Sequence, residues 1–458
     1  MIIGNPSQQE ELSYKKFETF ENKGRRNPPF SFTILYILYM RDMSNIIRAY
    51  EYRIYPNKLQ REQLEKAFGC ARWVYNWALN KRSTAWTTEK KNVSYLKLAN
   101  ELPILKKQEE TKWLKECPSQ CLQMSLRNLD NAYTRFFKKQ NQFPLFKSKK
   151  GKQSIQFPNH PQVVKIIDNK LSISKIGLMH IVIDRIFEGK VKIITIKKTK
   201  SGKYYVIFNV ETNQVIPTKQ KIEKNKSIGI DVGVKSFLTT SSGLKIDNLK
   251  LTKKYSTKLA KAQRKLSRKQ KDSNNREKQR IKVAKIHEKI ANTRKDFLHK
   301  VTAKLTNDSQ VSTIFIEDLN ISGMLKNRCL AKSIQDCSWS EFYKQLEYKC
   351  LWKGINLIRI GRFDPSSKIC SNCGVVHNNL TLGDRVWTCE SCGTAHDRDL
   401  NAAKNILAFG LHPQMHNTVD YTGIHASGDR TTTCQAIDKQ ARSMKEECSK
   451  KLKDFLTQ

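Results

Sequence analysis

The sequence predicts an α+β protein of several domains. A small antiparallel β-barrel is interrupted by a helical insertion, and a mixed α/β domain follows, interrupted in turn by a four-cysteine ribbon. Three observations predict this. Short β-branched runs flank a helical stretch in the first half of the chain. Two isolated carboxylates sit at the ends of strongly apolar strands further on. Cys370-x-x-Cys373 and Cys389-x-x-Cys392 stand fifteen residues apart, just before a helix with acids at its start. Two such pairs can wrap one Zn²⁺ in a tetrahedral thiolate cage around a short hairpin.

At 458 residues the chain exceeds one ordinary hydrophobic core, so about two to four domains are expected. Lys and Arg number 84 against 42 Asp and Glu, a net charge of +42. A free chain this positive repels itself, which implies a polyanionic partner. The basic residues run along almost the whole sequence instead of lining one amphipathic helix, which favours nucleic acid over an anionic membrane. Of the twelve cysteines, four belong to the zinc pattern. Cys70, Cys117, Cys121, Cys329, Cys337, Cys350, Cys434 and Cys448 are scattered, unlike a small secreted disulfide framework. A reducing, cytosolic setting is the expectation. The apolar run Phe30 to Met40 is too short to span a bilayer. It follows Arg25 and Arg26, as a signal peptide would, but no small-residue cleavage site comes after it. Residues 1–43 read as an extension ahead of the domains, with Met40 and Met43 as alternative natural starts.

Ile46 to Tyr55 reads as a strand stopped by Pro56-Asn57. Leu64, Ala67, Phe68, Ala71, Val74, Tyr75 and Ala78 then recur at three and four residues, one apolar helical face with Trp73 and Trp77 beside it. Further helices run to about Lys139, with breaks expected at Pro103 and Pro118. After the link Phe143 to Lys150, short strands are expected at 163–167, 171–173, 180–183, 191–196 and 204–210, spaced as in a small barrel that the first strand joins. Lys250 to Lys304 carries twenty basic residues against four acidic ones. Leu259, Ala262 and Leu266, then Ile281 to Leu305, keep helical spacing on either side of Asp272 to Asn275. This predicts a helical hairpin whose basic outer face contacts backbone phosphates.

Three carboxylates carry the chemistry. Ile228-Gly229-Ile230-Asp231-Val232-Gly233 reads as a buried strand, an acid and a glycine-assisted bend, the opening hairpin of an RNase H-like domain. Val311 to Ile316 is an apolar strand ending in Glu317. Asp399 lies in Asp-Leu-Asn-Ala-Ala-Lys-Asn-Ile, a good helix start, where Asp397 is the competing cap. Acids beside glycines or at strand ends are commonly turn and cap residues; order and spacing make the set informative. Three converging carboxylates repel unless cations lie among them. Two Mg²⁺ ions would meet that need and suit in-line phosphodiester hydrolysis by water. Asp231, Glu317 and Asp399 are therefore the candidate Mg²⁺ ligands and catalytic residues. The Cys370, Cys373, Cys389 and Cys392 site has no open coordination position, so its zinc is expected to be structural. Gly374 and Gly393 follow each knuckle where a tight turn is needed, and His377 and His396 read as bystanders. Ser366-Ser367-Lys368 suits either a phosphate contact or a polar loop.

These residues resemble a known family. Tyr-Arg-Ile-Tyr-Pro (52–56), Phe-Gly-Cys-Ala-Arg-Trp-Val-Tyr-Asn-Trp-Ala-Leu (68–79), Phe-Pro-Leu-Phe-Lys-Ser (143–148), Gly-Ile-Asp-Val-Gly-Val-Lys (229–235) and Ile-Glu-Asp-Leu-Asn (316–320) are similar to segments of the transposon-encoded TnpB proteins, relatives of the type V CRISPR nucleases. So are Ser-Ser-Lys-Ile-Cys-Ser-Asn-Cys-Gly (366–374), His-Asp-Arg-Asp-Leu-Asn-Ala-Ala-Lys-Asn-Ile (396–406) and Tyr-Thr-Gly-Ile-His-Ala-Ser-Gly-Asp (421–429). The resemblance spans about residues 46–430. It implies a wedge barrel at 44–60 and 140–222 with a helical recognition domain at 61–139. It further implies a RuvC-like nuclease domain at 223–365 and 396–412, including the basic hairpin 250–305, and a zinc ribbon at 366–395. A tail at 413–458 follows; the extension 1–43 and the part of the tail beyond Arg430 depart from the pattern. The implied activity is RNA-guided cleavage of double-stranded DNA beside a short flanking motif, with a noncoding guide and scaffold RNA and the target DNA as partners. The competing readings are a catalytically silent RNA-guided repressor, a DNA transposase and, should the acids not converge, a polycationic RNA carrier. All three acidic positions are filled, which argues against the silent repressor.

Overall fold

The computed structural model describes residues 45–159, 163–361, 364–381 and 383–412. The apolar run near residue 35, Cys434, Cys448 and the segment 421–429 lie outside them. The chain divides into two compact units, Met1–Ile216 and Pro217–Gln458.

In the first unit β1 (Asn45–Tyr55) leads into α1 (Lys58–Glu89), α2 (Tyr95–Lys107), a 3₁₀ turn (Glu109–Glu116) and α3 (Ser119–Phe137). β2 (Gln153–Pro158), β3 (Val164–Ile167), β4 (Lys170–Ile173), β5 (Gly177–Val182), β6 (Lys190–Lys198) and β7 (Tyr204–Val215) follow. The seven strands form one antiparallel sheet in the order β2-β6-β7-β1-β5-β4-β3. The expected barrel is thus, by its hydrogen bonding among the described residues, an open sheet with β2 and β3 at its edges. α1 starts where Pro56 ends the strand. The Asn57 side chain accepts from the Gln60 N–H and the Gln60 side chain accepts from the Asn57 N–H, each at 2.9 Å, a capping box. The expected apolar face of α1, Leu64 through Ala78, is buried. It shares a single core with Ile54, Phe157, Ile196 and Val206 of the sheet.

Two local expectations need correction. β2, which precedes the first strand expected after the link, was not read from the sequence, because only Ile155 and Phe157 mark it within a Lys- and Gln-rich stretch. Pro103 lies inside α2 and does not break it. Proline removes one hydrogen bond from a helix, but buried Leu98 and Leu102 hold this one through. Pro118 does stand at the N-cap of α3, as expected.

In the second unit β8 (Ser227–Asp231), β9 (Ser236–Thr240) and β10 (Lys245–Asp247) precede two long helices, α4 (Leu251–Ser267) and α5 (Asn274–Asn307). β11 (Thr313–Glu317), three helices α6 (Ile321–Met324), α7 (Arg328–Cys337) and α8 (Trp339–Lys353), and β12 (Asn356–Ile360) follow. The small hairpin β13 (Val386–Thr388) and β14 (Ala395–Asp397) then leads into α9 (Arg398–Leu411). The sheet order is β10-β9-β8-β11-β12, with β11 parallel to both β8 and β12. A central strand buried on both faces should be apolar in its middle, and β11 is at Ile314 to Ile316: Ile314 and Ile316 pack with Leu298 of α5 and Phe342 of α8. Phe315, pointing the other way, packs with Ile406 of α9. Gly229 allows α9 to lie directly on β8, since a Cβ there would come 2.2 Å from the Ala403 carbonyl oxygen. The expected basic hairpin is α4 and α5. Leu259, Ala262 and Leu266 are half-buried, while Lys258, Lys261 and Lys265 are exposed.

Candidate active site and cysteine cluster

β8 and β11 are registered with Ile316 opposite Ile230. The next pair along is Glu317 and Asp231, at the ends of adjacent parallel strands about 4.8 Å apart. By alternation both share the sheet face of Gly229 and Phe315, which α9 covers. Asp399 lies one helical turn before Ala403, the residue seated on Gly229, so α9 carries it toward the same strand ends.

The charges register this proximity. The Asp231 carboxyl is pushed up to about 8, chiefly by burial, then by Glu317 and by Asp399, while Arg398 opposes the shift. The residue itself is half-buried. Glu317 is also raised, mainly by burial with Asp364 adding to it, and the Ser366 hydroxyl opposes. That hydroxyl donates to Glu317 Oε1 at 2.5 Å. Asp399 lies 3.4 Å from Arg385 Nη1 and 3.7 Å from Lys245 Nζ. Asp397 is the helix cap: it accepts from the Leu400 N–H at 3.1 Å and pairs with Lys245 at 3.2 Å.

The three acids therefore interact electrostatically, but among the described residues their oxygens do not all lie within 4.8 Å of one another; the four cysteine sulfurs do. Three buried or half-buried acids, two of them with carboxyls raised by burial, form a donor set that divalent oxygen-loving cations suit. Sequence reasoning missed Asp364 and the Ser366 bond to Glu317, because both depend on how the segment before the first knuckle folds back over β11. It also missed two buried asparagines of α9. Asn401 accepts from the Ser371 N–H at 2.8 Å and donates to the Ile369 carbonyl at 2.7 Å. Asn405 donates to the Ser366 and Ile369 carbonyls, both at 2.7 Å. The Asp-Leu-Asn spacing was the only hint.

The cysteines form a cage. Cys370 and Cys392 sulfurs are 3.6 Å apart and Cys373 and Cys389 sulfurs 3.5 Å. A tetrahedron with Zn–S bonds near 2.3 Å has edges of about 3.8 Å, whereas a disulfide needs about 2.05 Å. The donor set fits zinc. Gly374 and Gly393 take φ of 79° and 69°, the left-handed turn each knuckle requires. Their N–H groups donate to the Cys370 and Cys389 carbonyls at 2.9 and 2.8 Å. Neither histidine is in the four-sulfur cluster, but both touch it: His396 Nε2 lies 3.0 Å from Cys370 Sγ and His377 Nε2 3.2 Å from Cys389 Sγ. Each packs on Trp387 between them, with centroids 4.6 and 4.7 Å away.

Comparison with known proteins places this architecture. A family model for OrfB proteins of IS605 elements, described provisionally as a transposase, matches residues 207–328. A Cas12f1-like TNB domain matches 339–406, and the OrfB helix-turn-helix domain matches 43–91. A provisionally named RNA-guided DNA endonuclease of Streptomyces pristinaespiralis is 41% identical over 373 residues, covering 81% of this chain and 90% of that protein. InsQ of Escherichia coli K12, provisionally named likewise, is 33% identical over 381 residues, covering 80% and 92%. The fold is similar to that of Cas12f1 in a solved complex with sgRNA and target DNA, at TM-score 0.50 and 14% identity over 79% of this chain and 99% of that one. Among the described residues no helix is long and apolar enough to cross a membrane. With two relatives matched along most of their length at this identity, the chain belongs to the OrfB (TnpB) family.

Proposed function

We propose that this protein is an RNA-guided DNA endonuclease that hydrolyses double-stranded target DNA beside a short flanking motif. Asp231, Glu317 and Asp399 are its catalytic carboxylates. The observation that carries the site is the β8–β11 register, which sets Asp231 beside Glu317 beneath α9, with Asp231 raised to about 8 by burial and by both other acids. The relatives named as RNA-guided DNA endonucleases support the guided activity. In this reading β1 to β7 make the wedge (44–60 and 140–222) and α1 to α3 the recognition segment (61–139). The second unit is the RuvC-like nuclease (223–365 and 396–412) with its zinc ribbon (366–395).

Asp231, Glu317 and Asp399 would hold Mg²⁺, which when bound supplies positive charge to the attacking and leaving oxygens of the phosphodiester. The chain's own residues do the rest. Ser366 fixes the rotamer of Glu317 through its hydroxyl. Lys245 and Arg385 hold Asp399 while the acids stand without metal. Zinc on Cys370, Cys373, Cys389 and Cys392 is structural, anchoring the segment that Asn401 and Asn405 clasp. The description of the family model as a transposase is the rival reading; both full-length relatives carry the nuclease name instead. Asp231→Ala should abolish cleavage of a matched duplex by the protein–RNA complex and leave RNA binding within about twofold. Undiminished cutting by that variant would remove the catalytic assignment.

A further inference from the structure

The tryptophans beside the apolar face of α1 take no part in the carboxylate site. Trp73 meets Trp113 of the 3₁₀ turn at right angles, with centroids 5.6 Å apart and planes at 79°. The Trp113 N–H donates to the Glu110 carbonyl at 3.0 Å, which fixes the ring while 38% of the residue stays exposed. Around this corner opens a cleft of about 440 Å³, lined also by Lys66, Arg72, Asn76 and Glu116. That volume lies within the roughly 300–1,000 Å³ range of small-ligand sites.

The walls have a particular chemistry. Arg72 donates to the neutral Gln153 amide at 3.1 Å, and among the described residues no ion pair takes up its charge. Lys66 pairs with Glu116 at 2.6 Å, both about half exposed, the weak kind of pair that a phosphate can displace. The amide of Asn76 is committed at both ends, donating to the Lys147 carbonyl at 2.9 Å and accepting from its N–H at 2.8 Å. The cleft therefore offers π faces and positive charge, with no spare amide to read a base edge. We propose that it takes up one unpaired nucleotide of the bound nucleic acid. The base stacks in the Trp73–Trp113 corner whatever its identity, and the phosphate meets Arg72 and Lys66. Stacking of this kind is tolerant of sequence because every base has a π face. The inference rests on the nucleic-acid reading above, although not on the assignment of the carboxylates.

The test uses the full chain without added Mg²⁺ and two probes, a 12-nucleotide oligo(U) and oligo(dT), each with one photoreactive 4-thio base. The expected crosslinks map to peptides containing Trp73 or Trp113. Trp73→Ala with Trp113→Ala should lose them and weaken binding about tenfold, the loss of one stacked base. The Trp73→Phe, Trp113→Phe pair should retain most of both. A stronger effect with oligo(U) assigns the site to RNA, one with oligo(dT) to DNA, and equal effects to either strand. Crosslinks mapping elsewhere, or alanine and phenylalanine variants that bind alike, overturn the proposal. No cleavage enters this readout, so its failure is distinguishable from failure of the nuclease assignment.

Discussion

Asp231 bears the largest electrostatic burden of the three acids. Its carboxyl titrates near 8 in the fold, against about 3.9 in an unfolded chain. Between those values the folded state holds the extra proton, so the metal-free fold loses stability as pH rises through that window and no further above it. Asp231→Asn removes this contribution. Between about pH 5 and about pH 8 the melting temperature of the variant should therefore fall less than that of the unmodified protein. Parallel curves in matched thermal scans without Mg²⁺ would show that Asp231 does not titrate there. That the acid after Ile228–Ile230 should meet Glu317 could be read from the chain; that the two sit at the ends of adjacent parallel strands, with Ser366 bonded to Glu317, could not. Asp397, the cap the sequence offered, does accept the Leu400 N–H, which leaves Asp399 free of that role.

At the scale of elements, α9 and the α4–α5 hairpin matter most. α9 reaches the sheet only because Gly229 and Gly410 have no side chains. A Cβ on Gly410 would fall 2.0 Å from the Phe315 ring and one on Gly229 2.2 Å from backbone. Gly229→Ala should cost about 3 kcal/mol, the upper end for overpacking, and should shift Asp399 away from β8. Denaturant titration measures it, and a loss below about 0.5 kcal/mol would mean that α9 relaxes freely. The lysines of α4 act differently. Replacing exposed Lys258, Lys261 and Lys265 with Gln should leave the fold unchanged and, if each meets a phosphate, flatten the slope of log affinity against log salt by about 2.7. An unchanged slope would assign that face to solvent. The hairpin was legible because its apolar spacing repeats on both sides of Asp272–Asn275. β2 was not, since two apolar residues in six cannot separate an edge strand from a loop.

For the whole molecule, charge and zinc set the terms. A net +42 predicts an obligate polyanionic partner and a strong salt dependence. Zinc held by the four cysteines would tie this segment to α9, because the segment it would brace is the one that Asn401 and Asn405 hold. Removing zinc with a chelator should lower the melting temperature of the second unit by several degrees, roughly 2–4 °C per kcal/mol lost at this size. The first unit, with no share in the cage, should be unaffected, and an unchanged melting curve after verified zinc loss would deny the metal a structural role. The sequence by itself determined the four clustered cysteines, the helical face of α1, the basic hairpin and the order of the acids, because each is written in local spacing and residue type. The tertiary structure alone decided that β8 and β11 are parallel neighbours, that the first sheet has open edges, and that Trp73 and Trp113 enclose a cleft. Those outcomes depend on pairings between residues tens of positions apart, and no local periodicity encodes them.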